Sequence, residues 1–554
     1  MFKPIVSAKL WGILALLALA SSACSAAPQT AAASGPTAAT QPQPVQPSPQ
    51  PTPTAAPPGL YRAAPLPQSL TEDFPLPPGW QFTDQAETAR YRLQIGAGDP
   101  PAGYWTLALT APFATVDDEV AAEDLKSFWL GQQPAPELPF SRLALPPDAQ
   151  AVLTQWWGSP DPGRVIQRSL DELSTSAPVP SQEWAILPFE QLSPAWKVIA
   201  VAGQSPVQKA FDPAQYPLSI PLQLVPVGSA APLSESDLTI LQPSLSNRDP
   251  KKMTTVILTG VTALVRATAG LMELKGMTYP GEDIRGWLRE ADITHINNEI
   301  PFTPKCPPPY PRENTLVFCS KTKYFELLQD VGADIIELSG DHFQDWGDEA
   351  MLFTADFYDQ NGLKYYGGGR NLAEASRPLL IEDHGNRLAF LGCNAKAPGY
   401  SSAAENRPGA VRCDWPVLFQ QIADVRAQGY IPIVTFQHEE YYTYEANPFV
   451  IPDFEGTAAA GAAIVSGSQA HQPQALQFHE GALIHYGLGN LFFDQYDEGI
   501  PTRQAFIDRH IFYQGRHIST ELLTIQFIDN ARPRPMTPEE RRGLLETVFK
   551  ASGW

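Results

Sequence analysis

The chain has 554 residues, of which 43% are hydrophobic and 18% charged, with 38 Lys and Arg against 59 Asp and Glu for a formal net charge of −21. That apolar content is enough to build cores for two or three domains and excludes a wholly disordered chain. So acidic a surface repels phosphate backbones and excludes nucleic acid as a partner. The 57 prolines are about twice the usual 5% share, and their placement carries information.

At the N-terminus Lys3 and Lys9 precede the apolar run from Leu10 to Ala20, followed by Ser21-Ser-Ala-Cys24. A basic start, a short apolar stretch and small residues before a cut site describe a secretory signal, and the run is too short to span a bilayer. Cys24 after Ala23 resembles the lipobox of bacterial lipoproteins, with Ser21 in place of the usual Leu. The resemblance implies a signal peptide over residues 1–24, a lipid on Cys24, and an exported protein anchored to the membrane on its extracellular side. Plain cleavage near Ala23 or Ala27 is the alternative. Residues 25–61 lack charge and are rich in Ala, Thr, Gln and Pro, a composition that favours an extended tether over a core.

Four further cysteines remain: Cys306, Cys319, Cys393 and Cys413. In an oxidising exterior the simplest connectivity is Cys306–Cys319 with Cys393–Cys413, one of the three that four cysteines allow. Zinc is the rival, but no C-x-x-C pair is present.

Residues 62–247 read as a smaller α/β accessory domain. Strands are expected at Tyr104–Thr110, Glu183–Phe189 and Trp196–Ala202, and helices at Glu123–Gly131 and Val165–Leu173. The segment from Trp184 to Val207 resembles closing segments of periplasmic solute-binding-like domains. This region has no histidine, whereas all nine histidines lie between His295 and His517, so any imidazole chemistry belongs to the second half.

Residues 252–530 alternate strand and helix: strands at Thr254–Thr259, Ile293–Ile296, Asp334–Leu338, Arg387–Leu391, Ile431–Phe436, Ala463–Val465 and Ala482–Tyr486. Helices are expected at Asp283–Glu290, Lys323–Val331 and Glu349–Gln360. A helical tail completes the chain at residues 531–554. Ligand-type residues follow several strands: Asn297-Asn-Glu299, Ser339-Gly-Asp-His342, Gln437-His-Glu439 and Gly467-Ser-Gln-Ala-His471. Strand C-termini in α/β sheets meet at one edge, where such side chains form a site able to hold a divalent ion.

At these residues the sequence resembles the CapA family of poly-γ-glutamate capsule biosynthesis proteins, over about Thr254 to Gln495. The landmarks are Asn297-Asn-Glu-Ile-Pro301, Leu338-Ser-Gly-Asp-His-Phe-Gln-Asp-Trp-Gly347, Gly368-Gly-Arg-Asn-Leu372, His438, the loop from Gly467 to His471, and Tyr486-Gly-Leu-Gly-Asn-Leu-Phe-Phe-Asp-Gln495. The resemblance implies a metallophosphoesterase-like α-β-β-α sandwich. It implies His342 as general acid with Asp341 beside it, Glu299, Asp341, His438 and His471 as metal ligands, and Asn297 or Asn298 orienting substrate. Arg266 stands near the first-strand loop and is expected to receive an anion or form a salt bridge. Where the family's first strand ends in Gly-Asp this chain has Gly260-Val261, and Ser468 or Gln469 replaces the first His of the last loop. The expectation is one ion (Mn, Mg or Zn), not two. The function implied is a surface-anchored protein of capsule or other envelope-polymer synthesis, working on poly-γ-glutamate or a similar polymer beside membrane-embedded synthesis proteins. It has either a metal-dependent hydrolase or transferase site or a degenerate site that binds polymer. A sensor or solute-binding lipoprotein is a third reading.

Overall fold

The apolar run Met253–Thr259 is buried at every residue, as suits a strand covered on both faces. It pairs in parallel with Ile293–Asn298, Val256 lying opposite Ile293, and antiparallel with Gln504–Tyr513. The sheet runs Lys364–Tyr366, Ile335–Glu337, Ile293–Asn298, Met253–Thr259, Gln504–Tyr513, Arg516–Phe527 and Pro533–Pro535. A second sheet runs Leu379–Asp383, Asn386–Asn394, Ile431–Gln437, Ile464–Gly467, Ala482–His485 and Leu476–His479.

The two sheets face each other through Val256, Leu258, Ile293 and Ile335 on one side and Leu388, Phe390, Ile433 and Ile464 on the other. Helices Arg266–Lys275, Arg285–Glu290, Phe325–Asp330 and Gly347–Gln360 cover the outer face of the first sheet with Met272, Leu288, Leu328 and Met351. Helices Trp415–Ala427 and Ile451–Ala459 cover the second with Leu418, Ile422 and Phe454. These are the four layers of the expected α-β-β-α sandwich. The expected strands and helices of this region are present with shifted ends. The long hairpin of Gln504–Tyr513 and Arg516–Phe527 was not anticipated.

The first half of the chain carries its own sheet, ordered Gln81–Phe82, Gly59–Arg62, Tyr91–Ile95, Ser219–Pro226, Gly103–Pro112, Glu183–Pro188, Arg142–Leu145 and Val165–Gln167. The helix expected over Val165–Leu173 is instead a strand, Val165–Gln167, followed by the short helix Leu170–Ser174. β-Branched Val165 and Ile166 suit the ladder that pairs them with Leu143 and Ala144. This half packs on the sandwich through Phe189, Trp196 and Val198 against Ile511, Tyr513 and Ile518. The C-terminal helix Pro538–Ala551, held at its start by a capping box of Thr537 and Glu540, lays Leu545, Val548 and Phe549 across Phe113, Leu483 and Phe506. Residues 57–554 accordingly form one compact unit.

The computed structural model describes residues 59–554 except 69, 71–75, 99, 135–136, 175–178, 180, 231–232, 242–244, 313–314 and 397–401. The signal peptide, Cys24 and nearly all of the tether lie outside them. Among the described residues no helix is long and apolar enough to cross a membrane. The disulfides are Cys306–Cys319 and Cys393–Cys413.

His510 is fully buried, with Nδ1 on the Thr520 hydroxyl at 2.9 Å. Burial, aided by the neighbouring His517 and His485, pushes its imidazole well below the ordinary 6.5. The unfolded chain therefore takes up a proton near pH 6.5 that the folded chain refuses. Stability from this group is complete above that pH and falls below it, by up to about 1.4 kcal/mol per pH unit. Urea titrations between pH 7 and 5 should show His510→Gln losing stability less steeply than the wild type on acidification.

Candidate functional site

Five loops meet where the strands of both sheets end. Those after Ile293–Asn298 and Ile335–Glu337 bring Glu299, Asp341 and His342, and those after Asn386–Asn394, Ile431–Gln437 and Ile464–Gly467 bring Lys396, Glu440, Gln469 and His471. Parallel pairing within each sheet aligns these ends. Bonds between the sheets hold the edges together: Asn394 Nδ2 donates to the Ser339 carbonyl at 2.8 Å and Asn297 Nδ2 to the Ser468 carbonyl at 3.3 Å. Beneath lies Glu337, fully buried, accepting from the hydroxyls of Ser339 and Ser468.

Close approach is possible because the backbone is bare at two crossings. A Cβ on Gly340 would stand 2.5 Å from the Glu299 Cα, and one on Gly467 would stand 1.9 Å from the Tyr486 carbonyl oxygen.

Lys396 is the hub. Its Nζ donates to Asp341 Oδ2 at 2.7 Å and to Glu440 Oε1 at 2.5 Å. Asp341 Oδ1 also accepts from Gln437 Nε2 at 2.8 Å, and Glu440 Oε1 from Gln469 Nε2 at 2.9 Å. Burial would raise Asp341, but the charges of His342 and Lys396 hold its carboxyl below the ordinary range. Burial likewise opposes the ionised forms of Glu440 and Lys396. The Lys396 ammonium nevertheless lowers Glu440, and Asp341 and Glu440 raise Lys396. Glu299 has no such partner: burial pushes it up to about 8, and Asp341 and Glu440 add to the rise against His342 and Lys396.

His342 sits on Phe318 with its ring centroid 4.7 Å away, and Nδ1 is 2.7 Å from Asp345 Oδ2. Burial alone would lower this imidazole, but the bond to Asp345 and the charges of Glu299 and Asp341 raise it to about 9. Its Nε2 is 4.0 Å from Asp341 Oδ2. His471 Nδ1 is 2.8 Å from Asn490 Oδ1, while Asn490 Nδ2 donates to the His471 and Thr502 carbonyls. That geometry makes Nδ1 the donor and leaves the lone pair on Nε2, and burial keeps the ring neutral by lowering its pKa.

The structure thus brings Glu299, Asp341, His342 and His471 into one network. His438 does not join it: its Nε2 is 3.0 Å from Asp453 Oδ2 and its Nδ1 accepts from the Glu439 amide at 2.8 Å. Gln437, one residue earlier, is the residue that points inward, because neighbours along a strand face opposite sides. Arg266 is not open to an anion. It forms a two-nitrogen pair with Asp494 Oδ1 at 2.8 and 2.5 Å and lies over the rings of Phe318 and Phe493. Asn298 turns its Nδ2 inward, donating to the Ile300 carbonyl and the Tyr358 hydroxyl, and its Oδ1 is buried without a partner. Val261 packs with Ile300, Phe318 and Phe493.

Four buried oxygens around this edge have no hydrogen-bond partner: Asn297 Oδ1, Glu299 Oε2, Gln437 Oε1 and Gln469 Oε1. With the His471 Nε2 lone pair they are nitrogen and oxygen atoms of the types that hard or borderline divalent ions accept. Among the described residues the one group of three carboxylate and imidazole ligand atoms mutually within 4.8 Å is elsewhere, at Asp292, Asp383 and His384, near the opposite ends of the strands. Asp292 there is also bonded to Lys209 at 2.6 Å. A metal at the strand-end site therefore has to draw on amide oxygens.

Sequence reasoning passed over Lys396 and Glu440. The signal for Lys396 was a charged residue shortly after the apolar strand Leu388-Ala-Phe-Leu-Gly-Cys393.

A sandwich of two parallel-cored sheets with a charged, desolvated cluster at its strand ends is the class of protein these observations define. Residues 255–495 match the family model described as bacterial capsule synthesis protein PGA_cap. The chain is 22% identical over 256 residues to the capsule biosynthesis protein CapA of Bacillus anthracis, covering 45% of this chain and 62% of that one. It is 24% identical over 171 residues to the PGA biosynthesis protein CapA of Bacillus subtilis (strain 168), covering 31% and 45%. In its C-terminal region the chain belongs to the CapA family, and it spans less than two thirds of either relative. Solved structures similar to it include a hypothetical protein from Thermus thermophilus (TM-score 0.33, 13% identity, 49% of this chain and 99% of that one). A 5'-nucleotidase precursor from the same organism has TM-score 0.30 and 12% identity, covering 54% and 58%. Scores this low carry no argument.

Gly340→Ala tests the crossing of the two first-sheet loops. A methyl forced against Glu299 should cost about 2–3 kcal/mol in urea unfolding, whereas Gly286→Ala, which meets no atom within 4 Å, should not destabilise.

Proposed function

We propose that the protein is exported, held at the membrane through a lipid on Cys24, and acts on an envelope polymer of the poly-γ-glutamate type at the strand-end site. The observation that carries this reading is the single wired network of Glu299, Asp341, His342, Lys396, Glu440 and His471 inside the CapA-family region. The relatives, proteins of capsule and PGA biosynthesis, supply the polymer class. The chemistry proposed is hydrolysis or transfer at the polymer's amide or phosphoester bonds, with His342 as general acid. Its ring is fixed by Asp345 and is protonated at neutral pH, which leaves Nε2–H to be given to a leaving group. Asn297, Glu299, Gln437, Gln469 and His471 would hold one divalent ion, which when bound supplies electrophilic polarisation of the bond attacked. Membrane-embedded synthesis proteins are the proposed neighbours.

A second reading, polymer binding without turnover, is favoured by Val261 and by the amides Gln437 and Gln469 among the donors. The two readings separate with the full chain in detergent, poly-γ-glutamate and added Mn²⁺. Wild type should bind the polymer and change its length distribution on gel filtration. His342→Asn should keep binding and lose the length change by a factor of about 10²–10⁴. Binding with no length change in either protein selects the second reading, and absence of binding overturns both for this polymer.

A further inference from the structure

The strand-end network holds a cation of its own. Lys396 Nζ lies between carboxylates from the two sheets, 2.7 Å from Asp341 Oδ2 and 2.5 Å from Glu440 Oε1. The lysine side chain is only 11% exposed and Asp341 2%, so these charges face one another in a medium where an unpaired carboxylate is costly. The second oxygen of each carboxylate is turned to other groups. Asp341 Oδ1 accepts from Gln437, whereas Glu440 Oε2 is 3.4 Å from the Tyr442 hydroxyl and 3.8 Å from His471 Nε2. A divalent ion between Asp341 and Glu440 would need the position the ammonium fills.

We propose that Lys396 takes the place of a metal ion, bridging Asp341 and Glu440, so that these carboxylates are not metal ligands in the native protein but become so once the ammonium is removed. This rests on the strand-end site being the functional one. It assigns to the resident lysine a charge role that nothing in the resemblance supplies, and it accounts for a site with donors for one ion where two would otherwise be expected. Among the described residues, the orphaned oxygens of Asn297, Glu299, Gln437 and Gln469 remain the other place for a divalent ion in the network.

The test is Mn²⁺ binding to the full chain, read by equilibrium dialysis and by the metal-dependent shift in Tm, without reference to activity. In an otherwise wild-type chain Asp341→Asn and Glu440→Gln should leave Mn²⁺ stoichiometry unchanged. Lys396→Met should gain one equivalent. Its Tm should fall without metal and recover by several degrees with Mn²⁺, and adding Asp341→Asn to Lys396→Met should abolish the gain. Loss of an equivalent in Asp341→Asn alone, or no gain in Lys396→Met, overturns the proposal. If Lys396→Met is recovered folded only with Mn²⁺ present, that is the expected rescue. If it fails to fold with or without Mn²⁺, the charge-balanced Lys396→Met/Glu440→Gln decides, a Mn²⁺ equivalent beyond that of the wild type supporting the proposal and its absence overturning it. Glu299→Gln is measured alongside: losing an equivalent there reports on the ion of the proposed function, independently of Lys396.

Discussion

Asp341, buried, and Glu440, half-buried, come from different sheets and share one ammonium. Two like charges brought this close in a low dielectric repel strongly, and each carries a desolvation cost that only an opposite charge at bonding distance offsets. The Lys396 bridge therefore joins the Asn394–Ser339 and Asn297–Ser468 bonds in holding the two strand edges together. The remaining groups are arranged around that neutralisation. Gln437 and Gln469 aim amide hydrogens at the same carboxylates. Glu299, beyond reach of the lysine's hydrogen bonds, responds to burial by holding its proton, and His342 gains one from its acidic surroundings. Within one network, the distance to a cation sorts the carboxylates into charged and neutral forms.

Geometry imposes a second constraint on the same edge. The loop carrying Asp341 crosses the Glu299 backbone at Gly340, and the first strand ends against the Gly489 carbonyl at Gly260. Side chains from five loops can share a network because their backbones touch at residues without a Cβ. The floor under them, where Glu337 takes two serine hydroxyls, keeps a buried carboxylate satisfied without a cation.

Much of the sandwich was legible because strands such as Met253–Thr259 and Ile431–Gln437, dominated by aliphatic and β-branched residues, announce themselves by composition. The short strand Val165–Gln167 was mistaken for helix because three residues cannot show a period of two. The hairpin of Gln504–Tyr513 and Arg516–Phe527 escaped notice because charged residues interrupt it: Asp508, Arg509 and His510 are buried in the fold but read as surface in the chain. In the site, Glu299, Asp341, His342 and His471 lie inside recognisable motifs and come together in the fold, whereas Lys396 and Glu440 lie outside any motif. His438 illustrates the difficulty. Strand alternation puts either Gln437 or His438 inward, and the ring chemistry of histidine drew attention to the residue that faces Asp453.

The exchange of charged or imidazole donors for amides alters what the site can hold. A divalent ion kept by one carboxylate, one imidazole and three amide oxygens meets far less negative charge than one kept by several carboxylates. The ammonium of Lys396 reduces the local potential further. Both effects weaken binding while preserving directionality, because amide oxygens fixed by hydrogen bonds through their own nitrogens, as in Gln437 and Gln469, lose little freedom on coordination. On the proposed function, such a site would exchange its ion readily, and the Lys396 ammonium, by neutralising Asp341 and Glu440, would keep these two carboxylates from repelling an acidic polymer.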